Sequence, residues 1–300
     1  MAKPEPSLPP PLAWLREDRR PRVILLGSGD RPNVIPEAKR LLPAIAARAD
    51  VVLEDYLYEQ DLSQIDADFV VVFGGDGSML RAAKLMGDRQ LPTIGVNLGK
   101  LGFLADLQPD EFVEVLAKVC EGEFRTVAHL MFHCEVRLGD EILFNELGLN
   151  EAAILNGPPF SILDIDLYVD SEWATTYSCD GLIVSTPIGS TAHNLSAGGP
   201  ILRKNLQAFV ISPISPHTLT MRPVVDSADR EYQIAIRAPN EATSIVVDGR
   251  PLCRLTCDHL VRVRRAESSF QMIEAPGRHY YRTLRQKLGW SGAIHKDRPG

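Results

Sequence analysis

In the first 125 residues, short apolar runs alternate with segments of helical periodicity. The apolar runs cover residues 23–27, 51–53, 69–73 and 93–96. The segments with helical periodicity cover residues 36–47, 78–86 and 109–120. Strands that alternate with helices are typical of a parallel sheet covered by helices. We therefore predict an α/β domain over residues 21–125.

From residue 126 the hydrophobic period changes to two. Apolar side chains alternate with polar ones at Phe132, Cys134, Val136 and Leu138, and again at Leu163, Ile165, Leu167 and Val169. Alternation of this kind predicts antiparallel strands with one face in solvent. We predict a β-rich domain over residues 126–277. In residues 278–300 the stretch "YYRTLRQKLGW" is amphipathic, which predicts a helix that docks on the first domain.

Composition and charge narrow the functional classes. The chain has 300 residues and a net charge of −7, which argues against a nucleic-acid partner bound through bulk electrostatics. Its apolar runs are shorter than the roughly 18 residues that a membrane span needs, so we expect no membrane partner. Residues 1–20 are rich in proline and charge without a signal-peptide core, which predicts a flexible tail. Five cysteines without a CxxC pair are typical of reduced thiols in a cytoplasmic protein.

The stretch "FVVVFGGDGSML" has the pattern of a phosphate-binding turn. Gly74, Gly75 and Gly77 allow close backbone approach to a ligand, and Ser78 is predicted to begin a helix whose free amides favour phosphate. A tight strand-to-helix turn capped by Asp76 is the structural alternative. The loop lacks the GxxxxGK[ST] spacing of a Walker A motif, and the chain contains no GxGxxG.

Asp76 is unexpected in a turn that binds phosphate. A carboxylate among phosphates is costly unless it takes up a proton or binds Mg²⁺. Asp76 is therefore predicted to be a general base, or a metal partner, that activates a hydroxyl group beside a polyphosphate. This chemistry is that of a kinase acting on an alcohol.

A second polar stretch, "CDGLIVSTPIGSTAHNLSAGGPI" at residues 179–201, combines glycine turns with many small hydroxyl side chains. Such side chains donate hydrogen bonds to phosphate, ribose or base edges without adding bulk. A serine- and threonine-rich connection between strands is the plain alternative. Together with the glycine turn, the stretch favours a nucleotide pocket.

Six motifs in this order resemble the NAD kinase family: "GGDGS", "NLGKLGFLAD", "LNEAAI", "DGLIVSTPIGSTAHNLSAGGPI", "SPHTLTMRPVV" and "VDGR". The resemblance covers roughly residues 20–290. It implies a Rossmann-like α/β domain followed by an all-β, β-sandwich domain, with NAD bound between them and often between subunits. It further implies transfer of the terminal phosphoryl group of ATP or polyphosphate to the 2′-hydroxyl of the adenosine ribose. Mg²⁺ or another divalent cation would accompany ATP, with no prosthetic group or resident metal site, in a homodimer or homotetramer.

The resemblance also implies roles for individual residues. Asp76 matches the family's proton acceptor and Gly77 a neighbouring substrate contact. Two Asn-Glu pairs occur, and Asn150 with Glu151 is chosen for NAD over Asn145 with Glu146, because it precedes a short apolar run. Further predicted NAD or substrate contacts are Arg81, Asp180, Thr191, Ala192, His193, Asn194, Leu195, Ser196 and Arg250. His193 stands where the family has an aromatic residue, and Arg250 where it has glutamine.

Other interpretations remain open from the sequence. The glycine turn is shared with diacylglycerol and sphingosine kinases, and a nucleotide-sensing module without catalysis is a third possibility. His129 and His133 are spaced four apart but in a strand-like context, which favours structural histidines over metal ligands. Cys253 and Cys257 have no second ligand pair nearby in the sequence.

Overall fold

The structure is a computed structural model that describes residues 17–289, except residues 63, 100, 101, 106, 219 and 275–279. Most of the predicted N-terminal tail lies outside the described residues. Within its last part, the Arg19 guanidinium donates to Asp68 at 2.7 and 2.9 Å. No helix among the described residues is long and apolar enough to cross a membrane.

The first half of the chain forms four parallel strands and three helices. They are β1 (Arg22–Gly27), α1 (Val34–Ala46), β2 (Asp50–Asp55), β3 (Phe69–Phe73), α2 (Asp76–Met86), β4 (Thr93–Val96) and α3 (Pro109–Cys120). Every residue of β3 is buried, as expected for a central strand of a covered parallel sheet. The strand order is β2-β1-β3-β4. The α/β prediction is confirmed, with element boundaries shifted by at most three residues.

The second half is built mainly from strands. They are β5 (Arg125–Leu138), β6 (Glu141–Gly148), β7 (Glu151–Leu155), β8 (Leu163–Val169), β9 (Glu172–Cys179), β10 (Gly181–Ser185), β11 (Ala208–Ile214), β12 (Val224–Ser227), β13 (Tyr232–Ile236), β14 (Ser244–Val247), β15 (Arg250–Arg254) and β16 (His259–Glu274). A 3-10 turn (Gly189–Thr191) and the short helix α4 (His193–Ser196) follow β10, and α5 (Tyr280–Leu288) follows β16.

The long strand β16 connects the two halves. Its first part pairs antiparallel with β13, its whole length pairs with β5, and Met272 near its end pairs in parallel with Thr93 of β4. One sheet of the described residues therefore runs β2-β1-β3-β4-β16-β13-β8-β9, with β5 and β6 paired beside β16. The second sheet runs β12-β11-β10-β7-β14-β15.

The largest core of the second half lies between these two sheets. It contains Phe132 and Val136 from one sheet and Ile154 and Val184 from the other. The predicted β-sandwich is thereby confirmed. Leu138 departs from the predicted alternation, because it lies at the end of β5 and is 44% exposed.

The opposite face of β5 is not simply exposed to solvent. Glu135 is only 3% exposed and contacts Arg137, Arg262 and Arg264 at 3.2–3.3 Å. Burial by itself would raise the pKa of Glu135, but these arginines outweigh it and lower the pKa below its ordinary value.

Helix α5 contacts residues of both halves. Leu284 is buried, and the Lys287 ammonium lies 4.4 Å from the ring centroid of Phe103, in the loop after β4. Arg203 lies 5.5 Å from the ring centroid of Tyr281. These contacts support the expected docking of the helix, and the domain boundaries at residues 21, 126 and 278 stay predictions.

Candidate functional site

The glycine turn lies at the carboxyl ends of β1 and β3, where the strand order changes direction. Ligands of open α/β sheets bind in the crevice at such a switch point. Gly74 has φ +149°, and a Cβ atom there would lie 2.2 Å from the Ser78 hydroxyl oxygen, so glycine is required. The hydroxyl oxygens of Ser28, after β1, and Ser78, after β3, are 3.4 Å apart.

Asp76 lies in the first turn of α2 rather than in a loop before the helix. The predicted start at Ser78 is two residues late, because Gly75 is the N-cap and a carboxylate is favourable in the first turn. The Asp76 carboxylate accepts three backbone hydrogen bonds, from Phe103, Leu104 and Ala105, at 2.8, 2.8 and 3.1 Å. Two of them end on Oδ1 and one on Oδ2. With about two acceptor positions per oxygen, one position remains on Oδ2.

The segment that binds Asp76 follows β4 and includes the sequence "GFLA". Gly102 allows the close approach, since a Cβ atom there would lie 2.1 Å from Asp76 Oδ1 and 2.6 Å from the Ala105 carbonyl oxygen. The Lys204 ammonium donates to the Phe103 carbonyl. The Phe103 backbone is thereby held next to the Asp76 carboxylate, and its side chain is half-buried.

Asn150 and Glu151 lie at the start of β7. Each carries a buried side-chain oxygen without a hydrogen-bond partner, Asn150 Oδ1 and Glu151 Oε2. Buried oxygens of this kind normally have partners, so both indicate a ligand position. Burial, followed by the negative charge of Asp248, raises the pKa of Glu151 to about 8.

The loop at residues 186–196 packs on this pair. The Thr186 hydroxyl donates to the Leu149 carbonyl at 2.6 Å, and the Thr186 N–H donates to the Asn150 carbonyl at 2.8 Å. Of the predicted contacts in the loop, Thr191, Ala192, His193 and Leu195 are partly accessible and Ser196 is exposed. Asn194 is fully buried, and its side chain bonds within the protein to Ser190, Pro200 and Ser212. Its side chain supports the loop, and direct ligand contact there stays a prediction.

A cavity of about 280 Å³ lies beside the glycine turn, between α2 and the β14–β15 turn. Four basic residues line it: Arg31, Arg81, Lys84 and Arg250. Asp30, Glu146 and Asp248 also line it, together with Gly77 and Ser78. The Lys84 ammonium pairs with Glu146 of β6 at 2.6 Å, which links α2 to the second half of the chain.

Arg81 is supported by a neighbouring loop. Its guanidinium lies 4.3 Å from the ring centroid of Tyr58. The loop that carries Tyr58 is held by Asp55, whose carboxylate accepts four backbone N–H groups, from residues 57–60, at 2.8–2.9 Å. Burial alone would raise the pKa of Asp55, but the four donors outweigh it and lower the pKa.

One buried hydrophobic cluster packs the glycine turn against the second polar stretch of residues 179–201. It contains Met79 of α2, Leu104 beside the Asp76 contacts, Leu149 before Asn150, and Ile188 before the 3-10 turn. Asp180 is not part of this assembly. Ser185 pairs with Glu151 and Gly181 with Leu155, so Asp180 lies at the far end of β10, about 17 Å from Glu151 at ~3.3 Å per residue.

Several site residues were missed by sequence reasoning. Asp248 binds the backbone of residues 149–151, although "VDGR" pointed only to Arg250. No sequence motif pointed to Arg31 or Lys84. Lys84 lies one helical turn after Arg81, however, so the sequence could have predicted that the two side chains share one face of the helix. Glu146 of the rejected Asn-Glu pair lines the cavity, while Asn145 contacts His133 at 3.1 Å.

The histidines and cysteines within the described part of the chain form no second centre. Burial lowers the pKa of His129 to about 4, and its Nδ1 lies 3.3 Å from the Lys204 carbonyl. The five cysteines are all free thiols, at positions that the structure describes. Among the described residues no group of three or more His, Cys, Asp or Glu could hold a metal ion.

These features define a class of protein. The site combines an anion-binding turn at the switch point of the sheet, a basic cavity, and a second group of polar residues that includes the Glu151 carboxyl group. This combination is typical of a nucleotide-dependent kinase. The Rossmann-like sheet and the β-sandwich identify its two-domain architecture.

The comparisons with known proteins give the family. The sequence profile described as ATP-NAD kinase N-terminal domain matches residues 34–124, and that of the C-terminal domain matches residues 149–275. An NAD kinase of Rhodopirellula baltica is 56% identical over 283 residues, covering 94% of this chain and 91% of the relative. An NAD kinase of Geobacter metallireducens is 39% identical, covering 85% and 90%. The chain belongs to the NAD kinase family, and it is an enzyme of that family.

Solved structures agree with this assignment. Yeast NADH kinase complexed with NADH superposes with a TM-score of 0.83 at 20% identity, covering 93% of this chain and 90% of that one, which shows the fold. An NAD kinase from Archaeoglobus fulgidus in complex with ATP gives a TM-score of 0.69 at 27% identity, covering 89% and 97%.

Proposed function

We propose that this enzyme transfers the terminal phosphoryl group of ATP to the 2′-hydroxyl of the adenosine ribose of NAD, with Asp76 as general base. The observation that carries the proposal is the environment of Asp76. Three backbone N–H groups fix its carboxylate, and one acceptor position on Oδ2 remains for a substrate hydroxyl.

Asp76 would act by removing one proton. As the ribose oxygen attacks the terminal phosphorus, its proton passes to Asp76 Oδ2 and the bond to the bridging oxygen of the donor breaks. The carboxylate needs no reorientation, because the segment from Phe103 to Ala105 already holds it. Positioning and electrostatic stabilisation supply most of the rate in phosphoryl transfer.

The basic cavity beside the turn is the proposed position of the donor phosphates. Arg81, Lys84 and Arg250 bring positive charge to its lining. The relative from Archaeoglobus fulgidus was solved with ATP, which supports ATP rather than polyphosphate as donor. The divalent cation, Mg²⁺, would enter as part of the ATP substrate and neutralise phosphate charge.

Asn150 and Glu151, together with the loop at residues 191–196, are the proposed site of the adenosine part of NAD. The two unpartnered side-chain oxygens support this position. His193, with a partly accessible ring, would stack on adenine in place of the family's aromatic residue.

We also propose a homo-oligomer in which Asp180 contributes to the site of a neighbouring subunit. Asp180 lies five residues along the chain from Ser185, the residue that pairs with Glu151, and so at the end of β10 remote from the Asn150 and Glu151 pair. Mixing Asp76→Asn with Asp180→Ala subunits tests this, because mixed oligomers would contain sites with both acids. Activity should return on mixing and reassembly, and a monomer by light scattering would contradict the proposal.

A cytoplasmic location is proposed on the basis of the five free thiols. The function itself is tested by incubating purified protein with NAD⁺ or NADH and with Mg·ATP or polyphosphate. We expect NADP formation with ATP and the new phosphate on the 2′-oxygen by ³¹P NMR. Phosphate on another hydroxyl, or turnover with polyphosphate alone, would contradict the respective part of the proposal.

A further inference from the structure

Asp248 lies in the turn between β14 and β15, and its backbone is held in the left-handed region. Its φ is +49°, and Gly249 follows with φ +76°. Two successive positive φ values are typical of a two-residue hairpin turn, which fixes the direction of the Asp248 side chain. The turn belongs to the wall of the basic cavity.

The Asp248 carboxylate binds the backbone at the Asn150 and Glu151 pair. It accepts hydrogen bonds from the N–H groups of Leu149, Asn150 and Glu151 at 2.8, 2.7 and 3.1 Å. The Asp248 N–H donates in turn to the Glu151 carbonyl at 3.0 Å. Four hydrogen bonds from one residue therefore fix the three positions from which both unpartnered oxygens project.

The two carboxyl groups are distinguished by their donors. Asp248 accepts three N–H bonds, whereas Glu151 has only the backbone N–H of His193 and a buried Oε2 without a partner. Burial raises the pKa of both carboxyl groups, but the three donors on Asp248 offset part of this rise, whereas Glu151 has a single donor. Because donors stabilise the ionised form, the geometry places the negative charge on Asp248 and the proton on Glu151. The Glu146 carboxylate adds negative charge near Asp248, but it pairs with the Lys84 ammonium at 2.6 Å, and Arg250 lines the same cavity as Asp248. The neutral Ser185 hydroxyl on β10 donates to the Asn150 carbonyl.

We propose that Asp248 is a positioning residue that fixes Asn150 and Glu151 and keeps the Glu151 carboxyl group protonated at neutral pH. A protonated Glu151 donates a hydrogen bond from Oε2 and accepts on its other oxygen, so it recognises a nucleoside that offers both an acceptor and a hydroxyl. The nucleoside role rests on the proposed function, whereas the protonation of Glu151 does not.

The test follows the carboxyl carbons of ¹³C-labelled glutamates by NMR between pH 5 and 9.5, in the full chain without nucleotide. The proteins are the wild type, Asp248→Asn, and Asp140→Asn as a matched control in the exposed β5–β6 turn. Glu151→Gln assigns the signal. We expect one glutamate to titrate near pH 8 in wild type and control, and about one pH unit lower in Asp248→Asn. An ordinary titration of Glu151 near pH 4–5, or an unchanged midpoint in Asp248→Asn, would overturn the proposal.

A second measurement covers the case in which Asp248→Asn does not fold. A protonated Glu151 stabilises the fold at low pH, and this stabilisation is lost as pH rises toward 8. The melting temperature of wild type relative to Glu151→Gln should therefore fall between pH 6.5 and 8, and a constant difference would contradict the proposal. If Asp248→Asn folds, the fold-increase in its KM for NAD should be about ten times the fold-decrease in its kcat. If the titration is as expected but NAD is not phosphorylated by the wild type, the proposed function fails and the role of Asp248 on Glu151 stands.

Discussion

Replacing Asp76 by asparagine separates its two roles, proton acceptor and backbone acceptor. An asparagine amide oxygen can still accept from Leu104 and Ala105, but its NH₂ group would face the Phe103 N–H. One charge-assisted hydrogen bond is lost, which costs roughly 1.5–3 kcal/mol in a buried setting and less at this half-buried position. For a chain of this size we expect the melting temperature to fall by about 4 °C.

The effect on the chemical step should be much larger than the effect on stability. Loss of a general base typically lowers the rate by about 10²–10⁴-fold, whereas NAD binding should change little. Initial rates at saturating NAD and ATP give kcat, and calorimetric titration gives the Kd for NAD. Asp170→Asn is the matched control, because Asp170 also accepts a backbone N–H, from Glu231 at 3.0 Å, in a turn remote from the glycine loop. An Asp76→Asn enzyme with more than a tenth of wild-type kcat would refute the base assignment.

Three further predictions follow from contacts around the site. Gly102→Ala should lower kcat by more than tenfold, because its Cβ would lie 2.1 Å from Asp76 Oδ1 and displace the carboxylate; steady-state kinetics with unchanged kcat would contradict this. Lys84→Gln should raise KM for ATP while changing the free energy of unfolding by less than about 1 kcal/mol, since its ion pair is half-exposed; a KM equal to wild type at low salt would argue against phosphate binding there. Relative to His129→Phe, the wild type should lose about 3 kcal/mol of stability in urea unfolding between pH 6.5 and 4, because His129 is neutral when folded but protonated when unfolded; an equal pH dependence in the two proteins would contradict this.

The hydrophobic patterns in the sequence predicted those strands whose buried positions follow from the local spacing of apolar residues. The five apolar residues of β3 and the alternation of Phe132, Cys134 and Val136 appear in the structure as buried positions. The connection of the two halves through β16 could not be predicted. It depends on the pairing of Met272 with Thr93, two positions 179 residues apart whose local sequences carry no sign of one another.

The same limit applies to the site. The residue types in the glycine turn and in the Asn-Glu pair identify the chemistry, because few functions need those groups at that spacing. The partners of those groups are backbone amides, and any residue can supply an amide. No side-chain pattern therefore marked residues 103–105 as the partners of Asp76, or Asp248 as the residue that holds Asn150 and Glu151.

The hydrogen-bond partners of Asp76 explain how a phosphate-binding turn can carry a carboxylate. Asp55 and Asp76 each accept the backbone N–H groups of a loop, and Asp248 accepts those at the turn into β7; without these acids the donors would be left unpaired. The loop held by Asp55 supports Arg81 through Tyr58, and the other two loops carry the Phe103 ring and the Asn150 and Glu151 pair. Because hydrogen bonds to an ionised acceptor are stronger than neutral ones, three short acids can fix loops around a cavity without filling it. Three backbone amides thus offset most of the negative charge of Asp76. The turn can then still bind an anion, while one acceptor position stays open for a proton.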